Sequence, residues 1–105
     1  MGYDILLFHE KDVYRVEVKS ASATKKVSQH HVVYKPYSYC VARGSRVKRL
    51  IKEADADILA LVANDIKAVD FMAVSSLTTI RVRRSVEDFG DETESLLEAM
   101  RNCNG

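Results

Sequence analysis

Six consecutive residues without a polar side chain, Ile58–Ala63 (ILALVA), place the strongest constraint on the fold. A run of that length, bounded by polar residues, reads as a strand buried within the protein. Residues 13–20 (VYRVEVKS) show the other strand pattern, strict alternation. Val13, Arg15, Glu17 and Lys19 fall on one side and Tyr14, Val16 and Val18 on the other. The apolar residues 3–8 (YDILLF) precede this stretch across the polar connection 9–12. The two stretches read as an antiparallel hairpin, although no Asn-Gly turn joins them.

The rest of the chain completes a mixed pattern. Residues 21–29 (ASATKKVSQ) read as a loop and residues 31–34 as extended chain, with Pro36 excluding a helix there. Residues 37–42 (YSYCVA) read as a third strand. Beyond Gly44 and Ser45, Val47, Leu50, Ile51 and Ala54 fall at i, i+3, i+4 and i+7, which predicts a helix. Asn64-Asp65 signals a turn, followed by strands at 68–74 and 79–83. Residues 91–101 predict a closing helix with its acids early and Leu96, Leu97 and Met100 on its apolar side. That side suits either an interface or packing on the chain's own sheet. The predicted class is α/β (α+β), with a mixed central sheet flanked by helices in one domain over 1–105.

Composition narrows the setting. The chain has 105 residues, 47% hydrophobic and 30% charged, which fits a folded body and not a disordered tail. No apolar run approaches the ~20 residues of a membrane-spanning helix. Residues 1–8 lack a basic segment and a cleavage site, so no secretion signal is expected. Two cysteines, Cys40 and Cys103, are too few for a disulfide framework, and a reduced cytoplasmic setting is expected. Charge is divided unevenly. Residues 1–52 hold 11 Lys/Arg against 4 Asp/Glu, and residues 53–105 hold 5 against 11. The basic half suggests an anionic partner, or a solvated surface whose charges pair internally.

The hairpin carries the chemistry. In its simplest register Phe8 pairs with Val13, and Asp4 then faces Glu17. Opposed side chains have Cβ atoms roughly 5 Å apart, so two carboxylates there repel. Lys19, on the same face, does not easily neutralise both. A divalent cation resolves the conflict. Mg²⁺ takes oxygen ligands, usually one or two carboxylates, and leaves room for phosphate. Two carboxylates and a lysine then form a workable set for cleaving phosphodiesters. The same residues also fit a surface hairpin with Glu17 and Lys19 exposed.

Tyr3-Asp4, then twelve residues, then Glu17-Val18-Lys19 on an alternating strand, resembles the PD-(D/E)XK nuclease superfamily. Residues 13–21 look closest to its small homing and phage endonucleases and Holliday-junction resolvases. The resemblance extends over about residues 3–75, with Asp57 opening a strand. It implies a restriction-endonuclease-like core with Asp4 and Glu17 as Mg²⁺ ligands and Mn²⁺ as a substitute. It further implies the Val18 carbonyl as another ligand and Lys19 as the catalytic lysine. Gln29 matches a glutamine that some related nucleases use to orient water or phosphate, and it also fits a solvent-facing loop. Tyr3 replaces the usual proline. Family members carry a helix with another Glu ahead of the first strand. With Met1-Gly2 alone in that place, the expectation is a minimal or truncated member, or one whose missing element a partner chain supplies.

Other residues fit several roles. Lys25, Lys26, Arg43, Arg46, Lys48 and Arg49 are candidate DNA-backbone contacts, with Arg46 and Arg49 expected at the helix start. Tyr37 and Tyr39 share a strand face and suit base stacking or core packing. Arg81, Arg83 and Arg84 form a further basic cluster. Cys40 reads as core packing. Of His30 and His31, only one can share a site face. The expected function is Mg²⁺-dependent hydrolysis of DNA phosphodiesters, on structured or junction DNA, by a homodimer or higher homo-oligomer. The alternative is a catalytically degenerate nucleic-acid-binding or assembly module on the same fold.

Overall fold

The computed structural model describes residues 4–22, 25–27, 32–34, 36–44 and 47–104. Among these residues ten strands and one α-helix follow in chain order. The first five strands are β1 (Ile5–His9), β2 (Asp12–Ala21), β3 (Lys25–Val27), β4 (Val32–Tyr34) and β5 (Tyr37–Cys40). Then come β6 (Ala42–Arg43), β7 (Arg49–Leu50), β8 (Ile58–Ala63), β9 (Ala68–Ala73), β10 (Arg81–Arg84) and α1 (Glu92–Asn104). The class is mixed α+β, as expected from the sequence. Its centre is a four-stranded sheet in the order β1-β2-β8-β9, with β2 and β8 parallel and the other neighbours antiparallel.

The run ILALVA is β8, an inner strand with apolar layers on both sides. Ile58 and Ala60 face one layer, where Tyr14 and Val16 of β2 meet Ala99 and Met100 of α1. Leu59, Leu61 and Ala63 face the other, formed by Tyr37, Tyr39, Val41 and Ile51. Period-two alternation explains the division, because successive side chains leave a strand on opposite faces. Helix α1 therefore packs on its own sheet through Leu96, Leu97 and Met100. Ser95 fixes its position. The Phe71 N–H donates to Ser95 Oγ at 2.6 Å, and the Ser95 hydroxyl lies 3.0 Å from Asp70 Oδ1. Arg84 Nε closes the stitch on Asp70 Oδ2 at 2.8 Å.

Strand β5 pairs with β10, and this ribbon covers the second face of the sheet. Tyr37 and Tyr39 are core residues, and Tyr39 Oη donates to the Val62 carbonyl at 3.0 Å. Burial pushes the Tyr39 phenol up to about 12. Base stacking by this pair is thus set aside. Alternation that turns the tyrosines inward turns Cys40 outward, so Cys40 is exposed and not a core residue.

The described residues 47–54 do not form the helix predicted beyond Gly44. Gly44 has φ 108°, a left-handed conformation that an added Cβ would obstruct against the Val47 carbonyl. The chain reverses there, so that Ala42 pairs with Leu50 and Arg43 with Arg49. The Ile51 N–H donates to the Val41 carbonyl at 3.0 Å, a cross-strand bond in place of a helical one. Ile51 is buried while Val47 remains 81% exposed, which a helix burying both would not allow. Residues 21–29, read as a loop, contain β3, which pairs with β4. Among the described residues no helix is long and apolar enough to cross a membrane.

Candidate functional site

The hairpin has the expected register, with Phe8 opposite Val13 and Ile5 opposite Val16. Two residues close it, His9 pairing with Asp12, and Glu10 takes a left-handed φ of 55°. At the open end the ladder departs from the expectation. The Asp4 N–H donates to the Val16 carbonyl at 2.9 Å, the residue already paired with Ile5. Two residues then address one, as in a bulge, and Asp4 leaves the position opposite Glu17. Its carboxylate turns to the edge of β2, where Oδ2 accepts the Val18 N–H at 2.8 Å. The N–H and C=O of one strand residue point the same way, so the Val18 carbonyl faces this edge too.

Glu17 lies on the sheet face beside Leu59 and is 4% exposed. It is the one charged residue among the buried ones described. Lys19, two residues on, places Nζ 3.3 Å from Glu17 Oε2. The Arg43 guanidinium, on β6, meets Glu17 Oε1. Arg43 is therefore a partner of the buried acid in this structure, where sequence suggested a backbone-phosphate contact. The charge compensation that sequence reasoning assigned to a cation alone is supplied here by two side chains. No local signal announces Arg43, because the contact depends on the reversal at Gly44. Glu17 Oε2 accepts no hydrogen bond despite its burial, and its partner is the Lys19 ammonium in an ion pair.

The Asp4 and Glu17 carboxylates and the Val18 carbonyl are hard oxygen donors on β2 and at its edge, of the kind Mg²⁺ takes from protein when water and phosphate fill its remaining positions. Both Glu17 oxygens already face cationic side chains, Oε2 towards Lys19 and Oε1 towards Arg43. Among the described residues no group of three or more His, Cys, Asp or Glu side chains comes together as a metal cluster.

The remaining expected residues do not gather at this corner. Arg49 donates to Asp55 through Nη1 and Nη2 at 2.9 and 3.1 Å, and among the described residues around it no helix begins. The hydrogen bonds from Arg49, with one from the Lys52 N–H, hold the Asp55 carboxyl well below the usual range. Lys48 is exposed. Lys25 and Lys26 lie on β3, but their side chains fall outside the described residues, as do Gln29, His30, His31 and Arg46.

Sequence reasoning missed the clasp next to the site. Arg15 donates to Asp57 from its main-chain N–H at 2.8 Å, from Nε at 3.2 Å and from Nη2 at 3.1 Å. Burial raises the Asp57 carboxyl, and the bonds from Arg15 outweigh that and hold it below its ordinary value. Their places in the chain gave one hint, since Asp57 immediately precedes β8. On the opposite face an apolar groove of about 380 Å³ lies among Ile5, Leu7, Val18, Val62, Phe71 and Leu96. It lacks polar lining side chains and is separate from this chemistry. Compared with known proteins, the chain matches no family model, no curated protein and no solved structure.

Proposed function

We propose that this chain is a Mg²⁺-dependent DNA endonuclease of the PD-(D/E)XK kind, active on structured or junction DNA as a homo-oligomer. The observation that carries the reading is the corner of β2. Glu17 and Lys19 stand side by side on one face, and the Asp4 carboxylate is hydrogen-bonded to the residue between them. Asp4, Glu17 and the Val18 carbonyl would hold the cation. When bound, it polarises a phosphoryl oxygen and lowers the pKa of water. Lys19 Nζ, close to the carboxylate, orients the attacking water and offsets charge developing on the phosphate.

The test is cleavage of linear and four-way-junction DNA in Mg²⁺ or Mn²⁺. Wild-type protein is expected to cut at least one substrate, and Lys19→Ala to abolish cutting while keeping the circular dichroism spectrum and DNA affinity. A wild type that cuts neither DNA overturns the reading. A second reading is favoured by the Arg43 contact, which already satisfies Glu17 without a metal. On that reading the chain is a nucleic-acid-binding module with a degenerate site. Salt-sensitive binding without cleavage would then be the whole activity.

A further inference from the structure

The central sheet carries unlike charge on its two sides. Helix α1 covers one face, and its exposed residues include Glu92, Glu94 and Glu98 against Arg101. The β5–β10 ribbon covers the other. Tyr37, Tyr39 and Val82 turn inward there, so alternation sends Ser38, Cys40, Arg81 and Arg83 outward, and all four are exposed. Neither strand of the ribbon contains an acid. Glu87 and Asp88 come only after β10 has ended, and Asp88 is bound back to Ser85.

Arg81 and Arg83 differ from the other arginines near the sheet. Arg15, Arg43, Arg49 and Arg84 each meet a carboxylate, whereas among the described residues none pairs with Arg81 or Arg83. The two share one strand face, roughly 7 Å apart along it. Arg81 stands opposite Cys40 and Arg83 opposite Ser38. Arg81 Nη1 reaches diagonally across to donate to Ser38 Oγ at 3.0 Å, which draws its guanidinium towards the residue facing Arg83. Like charges on one face repel, and an anion laid along them relieves the repulsion. Phosphate suits them, because the planar guanidinium fork matches its oxygens in bidentate fashion. Water screens contacts on so open a face, and a single small anion gains little there. A polyanion makes several such contacts together and releases its counterions.

We propose that the outer face of the β5–β10 ribbon is a docking surface for the DNA backbone, with Arg81 and Arg83 on its phosphates and α1 turned away. This rests on the reading of DNA as the substrate and gives that substrate an orientation. Glu17 and Lys19 project from the same side of the sheet, since Glu17 pairs with Leu59, whose side chain faces the ribbon layer. The contacts fix position and carry no sequence information.

The experiment uses duplex DNA in EDTA, which separates binding from cleavage. Cys40, exposed and opposite Arg81, reports on the proposed face. Its alkylation by N-ethylmaleimide, followed by peptide mass spectrometry, is expected to slow severalfold when DNA saturates the protein and to recover in high salt. Cys103 is the internal reference. It is half-buried on α1, with Sγ donating to the Asp57 carbonyl at 3.3 Å, and its rate should not change. Inorganic phosphate at the same phosphate concentration should leave Cys40 unprotected. By anisotropy, Arg81→Gln and Arg83→Gln should each reduce the slope of log affinity against log salt by about 0.9, alike on every sequence. Arg101→Gln, an equal loss of charge on α1, should leave the slope unchanged.

Full-rate alkylation of Cys40 in the complex overturns the proposal, as does a wild type without DNA affinity at low salt. Slopes of the ribbon variants that match that of Arg101→Gln overturn it as well. Protection by inorganic phosphate equal to that by DNA reduces the face to a small-anion site and also overturns it. The footprint needs wild-type protein alone, so it stands even if a variant does not fold. The two readings fail separately. Cleavage in Mg²⁺ with Cys40 unprotected keeps the nuclease and removes the docking face. Protection in EDTA without cleavage in Mg²⁺ keeps the docking face and removes the nuclease.

Discussion

Replacing Asp57 by alanine should destabilise the protein by about 2–3 kcal/mol, because it removes the acceptor for three hydrogen bonds from one residue of the neighbouring strand. Hydrogen bonds to a charged group are each worth about 1.5–3 kcal/mol. The side chains of Arg15 and Asp57 are 33% and 29% exposed, so water screens the pair and recovers part of that loss. The main-chain N–H of Arg15 recovers less, since it points into the β2–β8 ladder, whose first bond joins the Asp57 N–H to the Arg15 carbonyl at 2.8 Å. In a domain of this size the change lowers Tm by about 10–15 °C. Arg15→Ala alone should cost less, about 1–2 kcal/mol, since Asp57 keeps the main-chain bond. The assay is urea unfolding of wild type, both single variants and the double variant, combined as a cycle. We expect a coupling of about 1–2 kcal/mol. Single effects that add within about 0.5 kcal/mol would refute the reasoning and reduce the clasp to an ordinary surface ion pair.

Glu10→Gly should raise stability by about 1 kcal/mol, because Glu10 holds a left-handed φ that glycine adopts freely, and an unchanged melting temperature would contradict this. Ser95→Ala should cost about 1–2 kcal/mol by leaving the Phe71 N–H without its acceptor, measured as a shift in the urea midpoint. Acid should weaken the fold. The Asp55, Asp57 and Asp88 carboxyls all titrate below their ordinary value in the folded protein. The unfolded chain therefore binds more protons below about pH 4, and stability falls as pH drops through that region. Above it their contribution is fully present. Urea midpoints at several acidic pH values check this, and Asp55→Asn should flatten the slope.

Features set by short-range alternation were legible in the sequence. Residues 13–20 revealed the strand, its faces and, with the facing run 3–8, the register of the hairpin. The same period put Glu17 and Lys19 on one side. ILALVA could be read as buried because an inner strand with two covered faces has no place for a polar side chain. Cys40 was legible as well, since alternation with Tyr37 and Tyr39 turns it outward, but the apolar composition of its strand suggested the core. The false helix arose because 47, 50, 51 and 54 satisfy a helical spacing that a tight reversal at Gly44 also tolerates. The bulge at Asp4 and the Arg43–Glu17 contact were not legible. One is a slip of a single main-chain bond, and the other joins residues brought together only by the path of the chain between β2 and β8.

That path has a kinetic consequence. A hairpin such as β1–β2 closes in about 1–10 μs, because its partners are neighbours in sequence. The parallel pairing of Val16 with Ile58 must first close the long crossover between β2 and β8, whose entropy is lost before any contact repays it. Glu17 and Lys19 are adjacent as soon as β2 extends, whereas Arg43 rides on the crossover and arrives with the slow step. During refolding, half of the corner therefore precedes the other half, and the acid waits for its second cation until the molecule is nearly complete.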